Sequence, residues 1–274
     1  MPGSHDTDFP PGNQHVLAMT TTGQKVALVT GAAKRIGRAI ALGLARDGWD
    51  VVVHYGRSAD EAAAIARDIA ALGRRAAIVP CDLADEAATK QLLANAERAI
   101  GARITCVVNN ASLFDYDSAA DFSTAKLDAH LHVNVAAPIV LAQALHATIP
   151  DGGRGVVINL LDQKLFNPNP DFLSYTLSKA ALHSATTLLA QALAPKLRVA
   201  AVAPGITLVS GDQSEEGFAK AHQVTPLGRS STPDDVVQAV CYLASAPAVT
   251  GTTLIVDGGQ HLLPLARDVM FLAK

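Results

Sequence analysis

Lys25-Val26-Ala27-Leu28-Val29-Thr30-Gly31-Ala32-Ala33-Lys34-Arg35-Ile36-Gly37 decides the fold. The apolar run up to Thr30 reads as a buried parallel strand, and Arg38 to Asp47 reads as a helix. A glycine turn between a strand and a helix is a phosphate site. Glycine has no Cβ to hold the backbone away from a pyrophosphate, and the helix behind it offers N–H groups and the positive end of its dipole. Gly31, Ile36 and Gly37 are therefore candidate cofactor contacts, although the spacing G-x-G-x-x-G is absent.

Outward from this turn, short β-branched runs near residues 25–30, 50–55, 75–80, 104–109, 155–160, 197–203 and 252–256 alternate with alanine-rich helical segments. That rhythm predicts βαβ units in a single-domain α/β fold, a doubly wound parallel sheet of Rossmann type with helices on both faces. Thr232-Pro233-Asp234-Asp235 supplies a capping hydroxyl, a first-turn proline and two acids for a helix over 233–245. The stretch 205–228, rich in Ser, Gly, Asp and Glu, interrupts the rhythm and is expected to be a substrate lid. Residues 1–24 have no period and are expected to be a disordered leader to a domain spanning 25–274. Met19 competes with Met1 as the true start, which N-terminal sequencing would decide.

With 274 residues, 49% of them hydrophobic, the chain can bury a large core. A net charge of -3 and a pI near 6.3 give no electrostatic footprint for nucleic acid or an anionic membrane. No apolar run reaches ~18 residues, so no membrane span is expected. Cys81, Cys106 and Cys241 are far apart without C-x-x-C spacing. They read as buried thiols of a reducing cytosol, which implies a cytoplasmic protein. His54, His132 and His183 lack ligand spacing, so no metal is expected. Segments 127–147 and 172–194 carry more alanine and leucine than one intrachain face needs, which predicts packing between subunits in a homotetramer or a dimer.

Tyr175 and Lys179 are four apart and share a helix face. A lysine ammonium beside a phenol stabilises the phenolate, lowering a pKa of ~10 toward a value useful for proton transfer. Asp162 lies thirteen residues before Tyr175.

Together with Asn109-Asn110-Ala111, Asn134, Pro204-Gly205 and Val256-Asp257-Gly258-Gly259, these residues give a chain that resembles the short-chain dehydrogenase/reductases from about residue 24 to 262. Two departures narrow the resemblance. The family's turn is commonly T-G-x-x-x-G-x-G, and Arg35 stands where the middle glycine would be. Asp162 holds the position that is commonly a catalytic serine. With His54-Tyr55-Gly56-Arg57-Ser58 and Asn110-Ala111-Ser112-Leu113-Phe114, the chain looks like the pteridine reductase and dihydromonapterin reductase branch. The resemblance implies that Asp82 and Leu83 flank an adenine, and that Asn109, Ala111 and Ser112 lie on the ribose and nicotinamide side. It also implies that Pro204 and Gly205 border the cofactor, that Lys179 holds ribose, and that Asn134 orders water next to Lys179.

Charge argues the cofactor. An acid at the end of the second strand would bind the ribose hydroxyls of NAD, whereas this chain has no carboxylate there before Asp60. His54, Tyr55, Arg57 and Ser58 occupy that place and are candidate cofactor contacts. Arg35 and Arg57, each forming a charge-assisted hydrogen bond of ~1.5–3 kcal/mol, would favour NADPH over NADH by roughly two to four decades. NADP(H) is the expected cofactor.

Asp162 argues the substrate. Ketone reduction builds negative charge on oxygen, which a fixed carboxylate opposes. Reduction of C=N benefits from protonated nitrogen, which a carboxylate stabilises. Phe114, at the mouth of the fourth strand, would stack a flat substrate against the nicotinamide. The sequence thus predicts an NADPH-dependent reductase of pterin-type C=N substrates. Tyr175 would be the acid, Lys179 and Asn134 its supports, and Asp162 an aid to protonation. Within enzymes the alternative is a general carbonyl or 3-oxoacyl reductase, in which Asp162 only orients Tyr175. A noncatalytic NADPH-sensing protein is a further alternative, and the intact Tyr175, Lys179 and Asn134 argue against it.

Overall fold

The computed structural model describes residues 25–209, 218, 222 and 225–272. The segment 1–24 and most of the expected lid lie outside the described residues. Seven strands form one sheet in the order β3-β2-β1-β4-β5-β6-β7, every neighbouring pair parallel. They are β1 Val26–Val29, β2 Asp50–Tyr55, β3 Ala76–Pro80, β4 Cys106–Asn109, β5 Gly155–Leu160, β6 Leu197–Pro204 and β7 Thr253–Val256. The central strands β1, β2, β4, β5 and β6 are buried on both faces and read as near-continuous apolar runs, whereas the edge strands β3 and β7 are mostly half-buried.

Alternate strand residues feed two cores. Ala27, Val29, Val51, Val53, Val108 and Ile158 pack on one face against α1 (Arg35–Arg46), α2 (Ala59–Ala71) and α7 (Pro233–Ser245). Val26, Leu28, Val52, Val107, Val157 and Val199 pack on the other against α3 (Glu86–Ile100), α5 (Ala137–Thr148) and α6 (Leu173–Ala192). The helix α7 opens with a complete capping box, in which Asp235 N–H donates to Thr232 and Thr232 N–H donates to Asp235.

Two local differences from the sequence expectation matter for the site. First, α1 begins at Arg35, so Gly37 belongs to its first turn and not to the loop before it. A Cβ at Gly37 would lie 2.2 Å from the Gly31 carbonyl oxygen, so the glycine lets the helix start press against the turn. Second, the helix expected over 127–147 contains an extra residue per turn at its centre. It runs as α4 (Thr124–Leu131), a π-helical turn His132–Ala136, and α5. The stretch Thr124–Thr148 is long and apolar enough to cross a bilayer by length and composition. Its Ala137, Leu141, Ala142 and Leu145 are nonetheless buried against the sheet.

Candidate active site

Strand order reverses at β1, which lies between β2 and β4, and the crevice at the carboxyl ends of β1 and β4 is where open α/β sheets bind ligands. The glycine turn sits on one side of it. Gly31 has φ +62°, and Arg35 adopts φ +53°, the left-handed region that glycine favours. The family's glycine at this position is thus explained by backbone conformation. Here arginine takes the same conformation at a cost of roughly 1–2 kcal/mol. Its Nη1 donates to the carbonyl oxygen of Val209 at 2.9 Å.

His54 organises this turn from below. Its Nδ1 accepts from Gly31 N–H at 3.0 Å, and its Nε2 donates to the Cys81 carbonyl at 3.1 Å. Burial pushes its pKa down to about 4, so the ring stays neutral. With both ring nitrogens engaged by the protein, His54 supports the phosphate turn. Asn109 is also held from within the protein. It is buried, and its Nδ2 donates to Asn159 Oδ1 at 2.8 Å, which places the amide in the sheet interior. Its neighbour Asn110 takes the site position, donating from Nδ2 to the Thr30 and Gly31 carbonyls at 2.9 and 3.2 Å.

The residues of the turn fit a dinucleotide. The N-terminus of α1 has no side-chain cap, so its first-turn N–H groups are open to a phosphate. Gly31 approaches Ala111 so closely that a Cβ would meet its Cα at 3.0 Å. At the end of β2, Tyr55 is half-buried and Arg57 is exposed, followed by half-buried Ser58. After β3, Asp82 is exposed and Leu83 is buried. Gly205 follows Pro204 at the end of β6, where a Cβ would lie 2.7 Å from both the Gln260 Oε1 and the Asp257 Cβ.

A cavity of about 290 Å³ opens beside the turn. Of the sequence candidates, Arg35, Ile36, Ser112, Phe114, Pro204 and Gly205 line it. So do Asp162, Tyr175 and Lys179. Tyr175 and Lys179 come from successive turns of α6, and Asp162 follows β5 and caps a 3-10 turn, accepting from Lys164 N–H at 2.9 Å. The Tyr175 hydroxyl donates to Asp162 Oδ2 at 2.8 Å. Lys179 Nζ donates to the Leu160 carbonyl at 2.8 Å and stands 5.7 Å from the Tyr175 ring centre.

Electrostatics correct one expectation. Burial, reinforced by the Asp162 charge, holds the Tyr175 phenol well above its ordinary value, so Lys179 does not bring it toward neutrality. Burial also raises the Asp162 carboxyl, against the pull of the Lys164 and Tyr175 hydrogen bonds. It lowers Lys179 to about 8, with Asp162 opposing. Tyr175 and Asp162 are therefore a protonated phenol hydrogen-bonded to a carboxylate that holds protons more readily than usual.

Asn134 sits in the π-helical turn and is buried. Its Oδ1 accepts from Leu113 N–H at 2.8 Å, and its Nδ2 donates to the Leu113 carbonyl at 3.0 Å and to Ser178 Oγ at 2.9 Å. The side chain fastens the loop after β4 to α6, so it positions Phe114 and Tyr175. Phe114 is 41% exposed, stacks on Phe172 with centres 4.4 Å apart, and meets Tyr175 edge-on at 4.6 Å. Gln163, Lys164, Gln260 and Asp268 also line the cavity. No sequence motif singled them out. Asp268 reaches the site through an ion pair with Lys164 at 3.1 Å across 104 residues of chain. Among the described residues, no cluster of His, Cys, Asp or Glu could hold a metal ion.

A family profile described as Enoyl-(Acyl carrier protein) reductase matches residues 31–261. The chain belongs to the short-chain dehydrogenase/reductase family. Members similar to it include the crystal structure of FolM Alternative dihydrofolate reductase 1 from Brucella canis, complexed with NADP. That structure is 40% identical, covers 89% of this chain and 96% of its own, and has a TM-score of 0.84. A putative ketoacyl reductase of the granaticin polyketide synthase of Streptomyces violaceoruber is 35% identical over 87% of this chain and 96% of its own. The 3-oxoacyl-[acyl-carrier-protein] reductase of Synechocystis is 32% identical over 88% of this chain and 99% of its own. As a short-chain dehydrogenase/reductase, the chain is an oxidoreductase.

Proposed function

We propose that this short-chain dehydrogenase/reductase uses NADPH to reduce the C=N bond of a pterin-type substrate. The observation that carries this reading is the 2.8 Å hydrogen bond from Tyr175 to a carboxylate, Asp162, at the position where the family commonly has serine. The likeness to the Brucella FolM structure, complexed with NADP, supports both substrate class and cofactor.

The first-turn N–H groups of α1 and the backbone of Gly31 and Gly37 would hold the pyrophosphate. Arg57 and the guanidinium of Arg35 would take the 2'-phosphate. Bound NADPH supplies a hydride to the substrate carbon. Tyr175, kept protonated, donates its proton at the acceptor atom. Asp162 accepts a hydrogen bond from that hydroxyl in the resting site and so orients it, and its carboxylate stabilises the substrate nitrogen as that nitrogen takes up the one proton. A carboxylate facing a forming iminium stabilises it, while the same carboxylate facing a forming alkoxide opposes it. Phe114, edge-on to Tyr175, offers a flat face to a flat ring.

A second reading, reduction of a ketone or 3-oxoacyl group, is favoured by the two ketoacyl reductases among the relatives. Purified protein assayed with NADPH and NADH against dihydrobiopterin, dihydromonapterin, dihydrofolate and a ketone panel separates the two. Turnover of a dihydropterin with NADPH in clear preference to simple ketones is the expected result. Turnover confined to ketones overturns the reading.

A further inference from the structure

Beyond Leu262 the described residues add no strand to the sheet and form only the four-residue helical turn Val269–Leu272. Yet Asp268 and Val269 line the cavity beside Gln163 and Lys164. A single turn is too short to hold its own place, so its position depends on ties to the rest of the fold. The loop between β5 and α6 supplies them. Asn167 Nδ2 donates to the Leu263 carbonyl at 2.7 Å. Asp171, which is 3% exposed, accepts from Arg267 Nε and Nη2 at 2.8–3.0 Å and from Asp268 N–H at 2.7 Å. Lys164 Nζ bridges Asn169 Oδ1 at 2.5 Å and Asp268 Oδ2 at 3.1 Å. Next to Asp171, Phe172 has φ +56°, and its ring stacks on Phe114 at 4.4 Å and lies 28° from the plane of Phe271 at 6.3 Å.

We infer that Asp171 is a positioning residue, which through Arg267 and Asp268 seats the C-terminal segment as a wall of the cavity and so sets the affinity of the site for its acceptor substrate. Asp171 itself does not line the cavity. The wall borders the site whichever acceptor, pterin or ketone, is reduced. A planar guanidinium answers a carboxylate with paired N–H bonds, and a carboxylate out of water is left uncompensated when its cation goes. Both effects keep the tie closed. Without it the segment spends part of its time away from the cavity, and the acceptor binds well only to the closed fraction. A closed fraction of about a tenth raises the apparent dissociation constant about tenfold. The bound complex regains the same walls, so its turnover is kept.

The test uses Arg267→Ala, Asp171→Asn and the double variant, with NADPH saturating and dihydrobiopterin as acceptor. If the wild type reduces no pterin, the ketone that it reduces best takes that place. Each single variant should raise KM about tenfold and leave kcat within about twofold of wild type. The double variant should match the single ones, because both substitutions remove the same tie. A merely structural role would instead lower kcat and cofactor affinity along with the melting temperature. Hydrogen exchange followed by mass spectrometry is the readout apart from activity. In ligand-free Arg267→Ala the amides of residues 267–272 should exchange about tenfold faster than in wild type, with those of β1 and α1 unchanged. Arg267 is exposed, so this variant should fold even where Asp171→Asn does not, and its KM and exchange suffice. An unchanged KM in Arg267→Ala, a loss confined to kcat, a double variant whose KM rises by the product of the single effects, or unchanged exchange over 267–272 overturns the inference. None of these outcomes touches the choice of pterin over ketone, which fails only if the wild type reduces ketones alone.

Discussion

Tyr175 and Asp162 form a pair in which each constrains the other's proton. The phenol is held above its ordinary value by burial and by the carboxylate, so it enters the reaction carrying its proton across the neutral range. Tyr175→Phe keeps the ring that meets Phe114 and removes that proton. Turnover should fall by ~100-fold or more with NADPH binding nearly intact, the usual scale for a positioned acid. Steady-state rates and cofactor titration check it, and retention of more than a tenth of wild-type activity would remove Tyr175 from the acid role. Lys179 gives the pH dependence. Its folded value is depressed to about 8 by burial, so between pH 8 and its unfolded value near 10.5 the unfolded chain binds more protons. Its contribution to stability therefore rises with pH through that window, while its charge beside the site is lost. The rate should decline above about pH 8 even where the fold holds. In Lys179→Arg this alkaline limb should move to higher pH, and a pH profile that is the same in both proteins would contradict the assignment. At this scale the sequence was legible in part. Tyr175, Lys179 and Asp162 could be paired from spacing and resemblance. Which of Asn109 and Asn110 faces the ligand depends on where the strand ends, and one residue of phase exchanges their sides.

Among the elements, the strand-turn-helix unit was plain because a parallel strand buried on both faces is a continuous apolar run and glycine marks the turn. The π-helical turn His132–Ala136 left no such mark. One extra residue in a helix changes no composition, yet it accompanies the seat of Asn134 beneath the Leu113 loop. The C-terminal wall was equally silent, because Lys164 and Asp268 meet only through tertiary structure. Arg35 offers an element-level test. At φ +53° it carries left-handed strain that glycine would relieve, while glycine adds entropy to the unfolded chain. The two effects offset within about 1 kcal/mol. Arg35→Gly should thus leave the melting temperature nearly unchanged and weaken NADPH about tenfold relative to NADH through loss of the guanidinium. Calorimetric titration with both cofactors checks this, and equal weakening of the two would mean that Arg35 serves the turn alone.

For the whole molecule, the two-sided core accounts for the order of elements, and the surface carries what the core leaves over. Ile139 on α5 is 36% exposed, and Leu177 and Leu188 on α6 are 46% and 63% exposed. These are the helices whose apolar excess pointed to subunit packing, and we expect a homotetramer or a dimer in solution. Light scattering on the eluting protein should give a multiple of the 28.4 kDa chain, with Leu188→Glu shifting it to a smaller species. A wild-type monomer would contradict the expectation.

If the carboxylate beside Tyr175 selects C=N over C=O, Asp162→Ser should reveal it with one residue. Rates on dihydrobiopterin and on a simple ketone are measured with the same variant at saturating NADPH. Loss of the carboxylate should lower dihydropterin reduction by ~10–100-fold while ketone reduction holds or rises, so that the two substrates move apart. If both activities stay within a few-fold of wild type, or fall together, Asp162 only orients Tyr175 and the preference for pterins has lost its physical basis.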